Sequence, residues 1–352
     1  MAKKKKTKDT IEGVFGAASK FLQRKEAGVK WWVPSSLHML DLWVSHGRGI
    51  PLGRLIEFSG ESRSSKSFLA LKIASEVQKQ GGDVLYLDAE GSLDVYFAEH
   101  IAGVNMDESR FFYALPPNLD ATLTVIEETI QEHTGDRKLC IILDSVAGLA
   151  TFKQSIEGGA LEETKRVMGS AANSLSWFCS RGCLQALHEK PICLIFLNQV
   201  RTKVDFFSVG PPKKITTGGA AIGFYSRLRL ETSFKPRKDK DKKTVIGKDI
   251  FLNVIKNSYG VDTVPTLKIP FYPSPHNGVC GYNEEQAMFD FLVDRGKIKR
   301  TGSWYEFASE KKFQADWVEL FRTNEVLKDY VKEAVTAEFF EMFPKKVEGN
   351  DE

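Results

Sequence analysis

The stretch IEFSGESRSSKSFLAL, residues 56–71, sets Gly60, Lys66 and Ser67 at the offsets of a phosphate-binding loop. Such a loop works because successive backbone N–H groups, at a turn and a helix N-terminus, converge on phosphate oxygens. A lysine adds a point charge, and a Ser or Thr hydroxyl reaches Mg2+. Glu61, Ser62, Arg63, Ser64 and Ser65 fill the turn, and Ser65 stands where a second glycine belongs. Without that glycine the spacing is a weak signal, since average composition yields a G-x5-K-[ST] match in roughly one chain in five of this length. Context strengthens it, because an apolar strand precedes the match and a helix follows. If the turn demands φ > 0 at position 65, serine there costs on the order of 1 kcal/mol.

Two further strands end on carboxylates. LCIILDS ends on Asp144, and VLYLDAEGSLD delivers Asp88 and Glu90. A carboxylate at the C-terminal edge of a parallel strand beside the loop can hold Mg2+ through water. A second one there can orient or deprotonate a water that attacks a γ-phosphate. Spacing alone does not choose between Asp88 and Glu90. A fourth strand opens LIFLNQVRTKVDFFSVGPPKKITTGG, which continues as a long loop. Arg201, Lys203, Lys213 and Lys214 supply phosphate-binding charge, Phe206 and Phe207 can stack on or wedge between bases, and Gly218 and Gly219 permit close backbone approach. Gln199, at the strand end, is a neutral amide able to bond a terminal phosphate and couple nucleotide state to the loop.

These residues need a scaffold that brings several strand ends to one edge. From about residue 50 to 270, apolar runs without alternation are separated by helical stretches at 66–80, 94–103, 119–133 and about 162–189. That pattern predicts a parallel sheet covered on both faces. RLRLETSF, DIFLNVIKNS and TVPTLKIPF follow at closer spacing and are expected to be antiparallel at one edge of it. After 280 a helix, a small strand at GSWYEF and another helix indicate a separate small α/β unit. At the other end, Ile11, Val14, Phe15, Ala18, Phe21 and Leu22 recur at helical spacing behind Asp9 and Thr10, predicting an amphipathic helix that packs on its own domain or on a neighbouring copy.

Composition narrows the classes. A chain of 352 residues with 42% hydrophobic content buries a full core. The net charge of +3 is small, so contact with nucleic acid must come from local concentrations such as MAKKKKTK and FKPRKDKDKK. No apolar run has the ~18 residues of a membrane span, and no apolar h-region follows the first lysines, so a membrane or secretory protein is not expected. The five cysteines form no CxxC pair and suit a reducing compartment. Cys179 and Cys183 share a helical face and read as buried hydrophobes, not as zinc ligands.

The ordered segments GRLIEFSGESRSSKS, YLDAEGSLD, IILDSVAGL, LIFLNQVRTK, TTGGAAIGFYSRLRLE, NVIKN and GSWYEF resemble the RecA family of homologous-recombination ATPases over about residues 30–310. The resemblance implies an α/β fold: a RecA-like ATPase core with a mostly parallel central sheet at 33–275, an N-terminal polymerisation helix and linker at 1–32, and a small C-terminal α/β domain and tail at 276–352. It implies ATP and Mg2+ as ligands, with Lys66 and the loop amides on phosphates, Ser67 and Asp144 on the metal, and Glu90 activating water. Asp94 and Phe97 match positions flanking the adenine, and Gln199 matches the residue that couples γ-phosphate to the second DNA loop. Arg166 falls in the first DNA loop and its following helix, and Arg201 through Gly219 make the second. Single- and double-stranded DNA and further copies of the chain, in a helical filament, are the implied partners. Phe15, Phe21 and Phe224 then lie at subunit interfaces, and Lys256 reaches the neighbour's γ-phosphate.

The likeness has departures. Bacterial members have proline and glycine where this chain has Glu61 and Ser65, and phage recombinases similar to UvsX also lack the glycine before lysine. Bacterial members carry a second trans lysine where this chain has Ser258. The implied setting is the cytoplasm, on the nucleoid, of a bacterium or a phage host. The implied function is strand exchange on single-stranded DNA with DNA-stimulated ATP hydrolysis. Its rivals are a RecA-like regulator or accessory filament protein that binds ATP and DNA without exchanging strands, and a hexameric helicase.

Overall fold

The computed structural model describes residues 28–151, 170–180, 182–203, 213–217, 219–239, 243–261 and 263–344. The described residues from Trp31 onward form one compact unit. In it, β1 (Trp32–Val33), α1 (His38–Ser45) and β2 (Ile50–Pro51) lead to β3 (Arg54–Gly60) and α2 (Lys66–Lys79). Next come β4 (Asp83–Asp88), a π-helical turn (Phe97–Ala102), β5 (Phe111–Ala114), α3 (Leu119–Glu132), β6 (Leu139–Asp144) and a 3-10 turn (Val146–Gly148). α4 (Ser170–Ser180) and α5 (Cys183–His188) precede β7 (Ile192–Lys203) and β8 (Lys213–Thr216). α6 (Ala220–Tyr225), β9 (Leu228–Lys238), β10 (Val245–Asn257), β11 (Leu267–His276) and β12 (Val279–Tyr282) follow. α7 (Glu284–Asp294), β13 (Lys299–Thr301), β14 (Trp304–Phe307), β15 (Glu310–Lys312), α8 (Gln314–Thr323) and α9 (Glu325–Met342) come last.

The main sheet has the order β12-β11-β10-β9-β3-β7-β6-β4-β5, with β8 paired to β7. Its core strands are apolar throughout because both faces are covered. In β6 every residue is buried; Cys140 and Ile142 join the apolar layer under α2, while Ile141 and Leu143 join the layer under α3 and α4. The expected antiparallel edge holds for β10 and β11. β9 differs: it runs parallel to β3, because α6 supplies a crossover before it, and only its hairpin to β10 turns antiparallel. The helix anticipated at 162–189 is interrupted at Gly182, whose φ of 56° breaks the run into α4 and α5; residues 152–169 lie outside the described ones. The 94–103 stretch forms a π-helical turn, and β5 and α8 are elements that the sequence pattern did not suggest. Among the described residues no helix is long and apolar enough to cross a membrane.

The C-terminal elements pack on α1. Trp43 meets Phe291 at 5.6 Å and Phe339 at 5.0 Å between ring centroids. Two carboxylates are enclosed at the same seam: Asp41 accepts from Ser35 N at 2.9 Å, and Glu284 accepts from Met39 N at 3.1 Å. Loss of water raises Asp41 to about 7 and Glu284 to about 8. Between the ordinary carboxyl range and these values the folded chain binds protons that the unfolded chain has released. Stability therefore falls as pH rises through this window. From pH 5 to 8 the loss from the two groups together is expected to be on the order of 6 kcal/mol in urea unfolding. Glu284→Gln, which cannot ionise, should flatten that slope, and an unchanged slope would contradict the assignment.

Candidate nucleotide-binding site

The loop between β3 and α2 is built on a close backbone approach. A Cβ at Gly60 would sit 2.2 Å from Thr232 O on β9, so only glycine fits. The Ser64 hydroxyl bridges Glu61 O at 2.7 Å and the Thr232 hydroxyl at 2.6 Å. Arg63 and Ser65 both adopt left-handed backbone, with φ of 63° and 67°. The turn thus makes at position 65 the demand that glycine would meet without strain. Ser65 is the N-cap of α2 and makes no side-chain capping bond, so the cap supplies no acceptor for the first-turn N–H groups, which can face an anion. Lys66 Nζ donates to Gly60 O at 3.1 Å and Glu61 O at 2.7 Å. Burial lowers its pKa, against the opposing pull of Asp144, Glu90 and Glu61. Tyr282 OH donates to Ser65 O at 3.4 Å and Lys248 Nζ to Arg63 O at 2.9 Å, holding the turn from outside.

The carboxylates stand at neighbouring strand ends. Asp144 is buried, which raises its pKa, and it bonds with the Ser67 and Tyr86 hydroxyls, the latter at 2.7 Å. Ser67 and Asp144 form a donor set of hard oxygens that fits Mg2+. Glu90 Oε1 accepts from Ser145 Oγ at 2.8 Å and from Gln199 Nε2 at 2.9 Å. Asp88 is occupied otherwise: it accepts from Glu90 N at 3.1 Å, Leu93 N at 2.9 Å and Tyr113 OH at 3.1 Å. Asp88 therefore holds the turn, while the Glu90 carboxylate reaches Gln199, which lies within β7 and not at the strand end expected for it, because the strand runs on to Lys203.

Asp94 accepts from Phe97 N at 3.0 Å, starting the π-helical turn. The Phe97 ring is half-buried against Phe68 and Phe271, at 5.2 and 6.4 Å, whereas Tyr96 is 66% exposed and stacks on His100. Phe224 is 73% exposed, and Lys256 Nζ donates to Gly223 O at 3.0 Å and Phe224 O at 2.7 Å, so these two lie together. Lys256 pairs with Arg229 near the start of β9, while Gly60 pairs with Thr232 further along. The backbone of Arg201 and Lys203 pairs with that of Ile215 and Lys213, and Lys214 pairs with Thr202, in an antiparallel arm. Gly219 is exposed with φ of 69° and caps α6. Phe15, Phe21, Arg166, Phe206, Phe207 and Gly218 lie outside the described residues.

One network escaped the sequence reading. Glu57, fully buried in β3, accepts from Arg229 Nε at 2.5 Å and Asn198 Nδ2 at 3.0 Å, and Asn198 also donates to Thr217 O at 2.9 Å. A lone glutamate within an otherwise apolar strand was the available signal. The network ties β3 to both ends of the long β7–α6 connection.

A doubly covered parallel sheet with a phosphate-type loop, a strand-end carboxylate pair and a coupled glutamine defines a nucleotide-binding α/β protein. The family model of the RecA N-terminal domain matches residues 3–267. Protein RecA of Oleidesulfovibrio alaskensis is 32% identical over 305 residues, covering 86% of this chain and 81% of the relative. Protein RecA of Nitratidesulfovibrio vulgaris strain Miyazaki F is 32% identical over 346 residues, covering 97% and 91%. The plasmid Protein RecA of Lactococcus lactis is 31% identical over 308 residues, covering 88% and 81%. The chain belongs to the RecA family, a class of recombination and repair proteins, as a divergent member.

Ser65→Gly should stabilise the folded chain by about 1 kcal/mol in urea unfolding, because glycine accepts the left-handed backbone. Ser65→Ala, which keeps a Cβ, should show no such gain. Equal stability of Ser65→Gly and the natural chain would remove the strain argument.

Proposed function

We propose that the chain is a DNA-stimulated ATPase that assembles on single-stranded DNA and exchanges strands with a homologous duplex. The observation that carries this reading is the Gln199–Glu90 hydrogen bond at 2.9 Å, which joins a candidate catalytic carboxylate to the strand that opens the long loop. Lys66 and the first-turn amides of α2 hold the phosphates. Ser67 and Asp144 hold Mg2+, which supplies charge neutralisation when bound. Glu90 orients a water for in-line attack on the γ-phosphate and takes its proton. Gln199 divides its amide between Glu90 and the γ-phosphate, so hydrolysis changes how β7 is held at the base of the β7–β8 arm and loosens the arm that bears Arg201, Lys203, Lys213 and Lys214. Lys256 on β10 is level with Arg229, three residues before the Thr232 that pairs with Gly60, and it holds Phe224 of α6 beside it; both are assigned to the nucleotide of a neighbouring protomer and not to their own loop. Base pairing, not protein side chains, then tests homology. The strained Arg63 and Ser65 turn favours a second reading, a regulator that binds ATP and DNA with little turnover.

Lys66→Ala should abolish ATP hydrolysis, and a natural rate in that variant would overturn the loop assignment. Single-stranded DNA should raise turnover of the natural chain severalfold. Turnover that does not respond, together with no product in a three-strand exchange assay, would select the regulator.

A further inference from the structure

Beyond the residues that would touch nucleotide or metal, two tyrosines stand behind them. Tyr86 lies within β4, where its Cα pairs with Ile142 on β6 and Tyr113 on β5. Side chains two residues apart on a strand share a face, so Tyr86, Asp88, Tyr113 and Asp144 project to the same side of the sheet. A tyrosine is about as long as the two-residue rise of a strand, roughly 7 Å. Tyr86 thus reaches past Ile142 to donate to Asp144 Oδ2 at 2.7 Å. Tyr113 donates to Asp88 Oδ2 at 3.1 Å. The two rings stack on each other, with centroids 6.5 Å apart and planes 18° from parallel.

We propose that Tyr86 and Tyr113 are positioning residues for the strand-end carboxylates: Tyr86 fixes Asp144, and Tyr113 fixes, through Asp88, the turn that carries Glu90. This rests on the reading of Ser67, Asp144 and Glu90 given above. Asp144 ends β6, and its carboxylate can rotate unless something holds it. A bond to Oδ2 from a ring that is itself 1% exposed removes that freedom and fixes the direction of the other oxygen. Partners behind a ligand act in this way, by orienting it before the metal arrives. On the β5 side, Asp88 Oδ2 accepts from both Tyr113 and Leu93 N, while Oδ1 takes Glu90 N. Tyr113 therefore steadies the acceptor on which the whole 88–93 turn is strung. The two near-parallel rings lie side by side on one face of neighbouring strands, so the two hydroxyls serve adjacent carboxylates. A plainer account treats the buried Tyr86 hydroxyl as a polar tip needing any acceptor and the half-exposed Tyr113 hydroxyl as an incidental surface contact. It predicts that removing them changes stability and nothing else.

The test uses the full chain with Tyr86→Phe and Tyr113→Phe, which keep the rings. Mn2+ is titrated into protein with a non-hydrolysable ATP analogue and bound metal is read by electron paramagnetic resonance; kcat and KM for ATP are measured separately. Tyr86→Phe should raise half-saturating Mn2+ about tenfold while leaving metal-free nucleotide affinity unchanged. Tyr113→Phe should leave Mn2+ saturation unchanged and lower kcat severalfold at constant KM. Unchanged Mn2+ saturation in Tyr86→Phe and unchanged kcat in Tyr113→Phe would overturn the proposal. If Tyr86→Phe does not fold, the kcat and KM of the half-exposed Tyr113→Phe decide alone. A natural chain that binds neither analogue nor Mn2+ would instead remove the nucleotide reading, and the proposal with it.

Discussion

The parallel register of the central strands is the constraint on which the site depends. Gly60 pairs with Gln199 across β3 and β7, and Asp88 pairs with Asp144 across β4 and β6. β6 pairs with β7 between these two couples, with Leu143 opposite Phe196, so all four residues reach the same edge of the sheet, Gly60 and Gln199 two residues beyond the level of Asp88 and Asp144. None of these groups has a reason of its own to be there. The register is held by the apolar residues behind them, which are buried on both faces, and a slip of one residue would turn each side chain to the opposite face. Burial of Ile142, Leu143, Ile195 and Phe196 is thus what aims the polar edge.

The loop on this edge is strained and is held from several directions. Two left-handed non-glycine residues in five positions cost on the order of 1–2 kcal/mol each. The compensating contacts come from the antiparallel extension of the sheet. Thr232 on β9 bonds Ser64, Lys248 on β10 bonds Arg63 O, and Tyr282 on β12 bonds Ser65 O. The extension also supplies Phe271 and Tyr282 to the aromatic cluster around Phe68, the third residue of α2. The edge strands therefore act as an outer brace for the loop, and they explain how a serine persists where glycine is easier.

Much of this was legible in the chain and some was not, for physical reasons. Continuous apolar runs such as CLIFL and CIIL identify strands covered on both faces, because no polar face needs to be left for water. The G-x5-K-S spacing and the strand-end Asp144 follow from local order. What distinguishes Asp88 from Glu90 is not local: Tyr113 on Asp88, and Ser145 and Gln199 on Glu90, arrive from three other elements. Glu57 could be seen as an odd residue in its strand, but its partners Asn198 and Arg229 are 141 and 172 positions away. Phe97 matches an adenine-flanking position, yet its ring also belongs to the Phe68 cluster, a contact invisible without the fold. The helix over 162–189 carries a helical pattern across its break, and Gly182 interrupts it through backbone conformation alone.

The face around Phe224 changes the meaning of Ser258. Taken from the chain alone, serine there subtracts a cation from the pair formed with Lys256. In the fold, Ser258 N donates to Arg227 O at 3.1 Å, so an arginine sits beside the position that lacks the charge. Arg227 and Arg229 both depress the pKa of Lys256, after the larger effect of burial. Arg229 is neutralised by Glu57, which is fully buried and bonded to it at 2.5 Å. Lys256 Nζ is held by the Gly223 and Phe224 carbonyls, so its charge stays on this exposed face with like charges on the same side of the sheet edge. Under the filament reading proposed above, an anion brought by the next protomer would be drawn to this face through Lys256 and its neighbouring arginines.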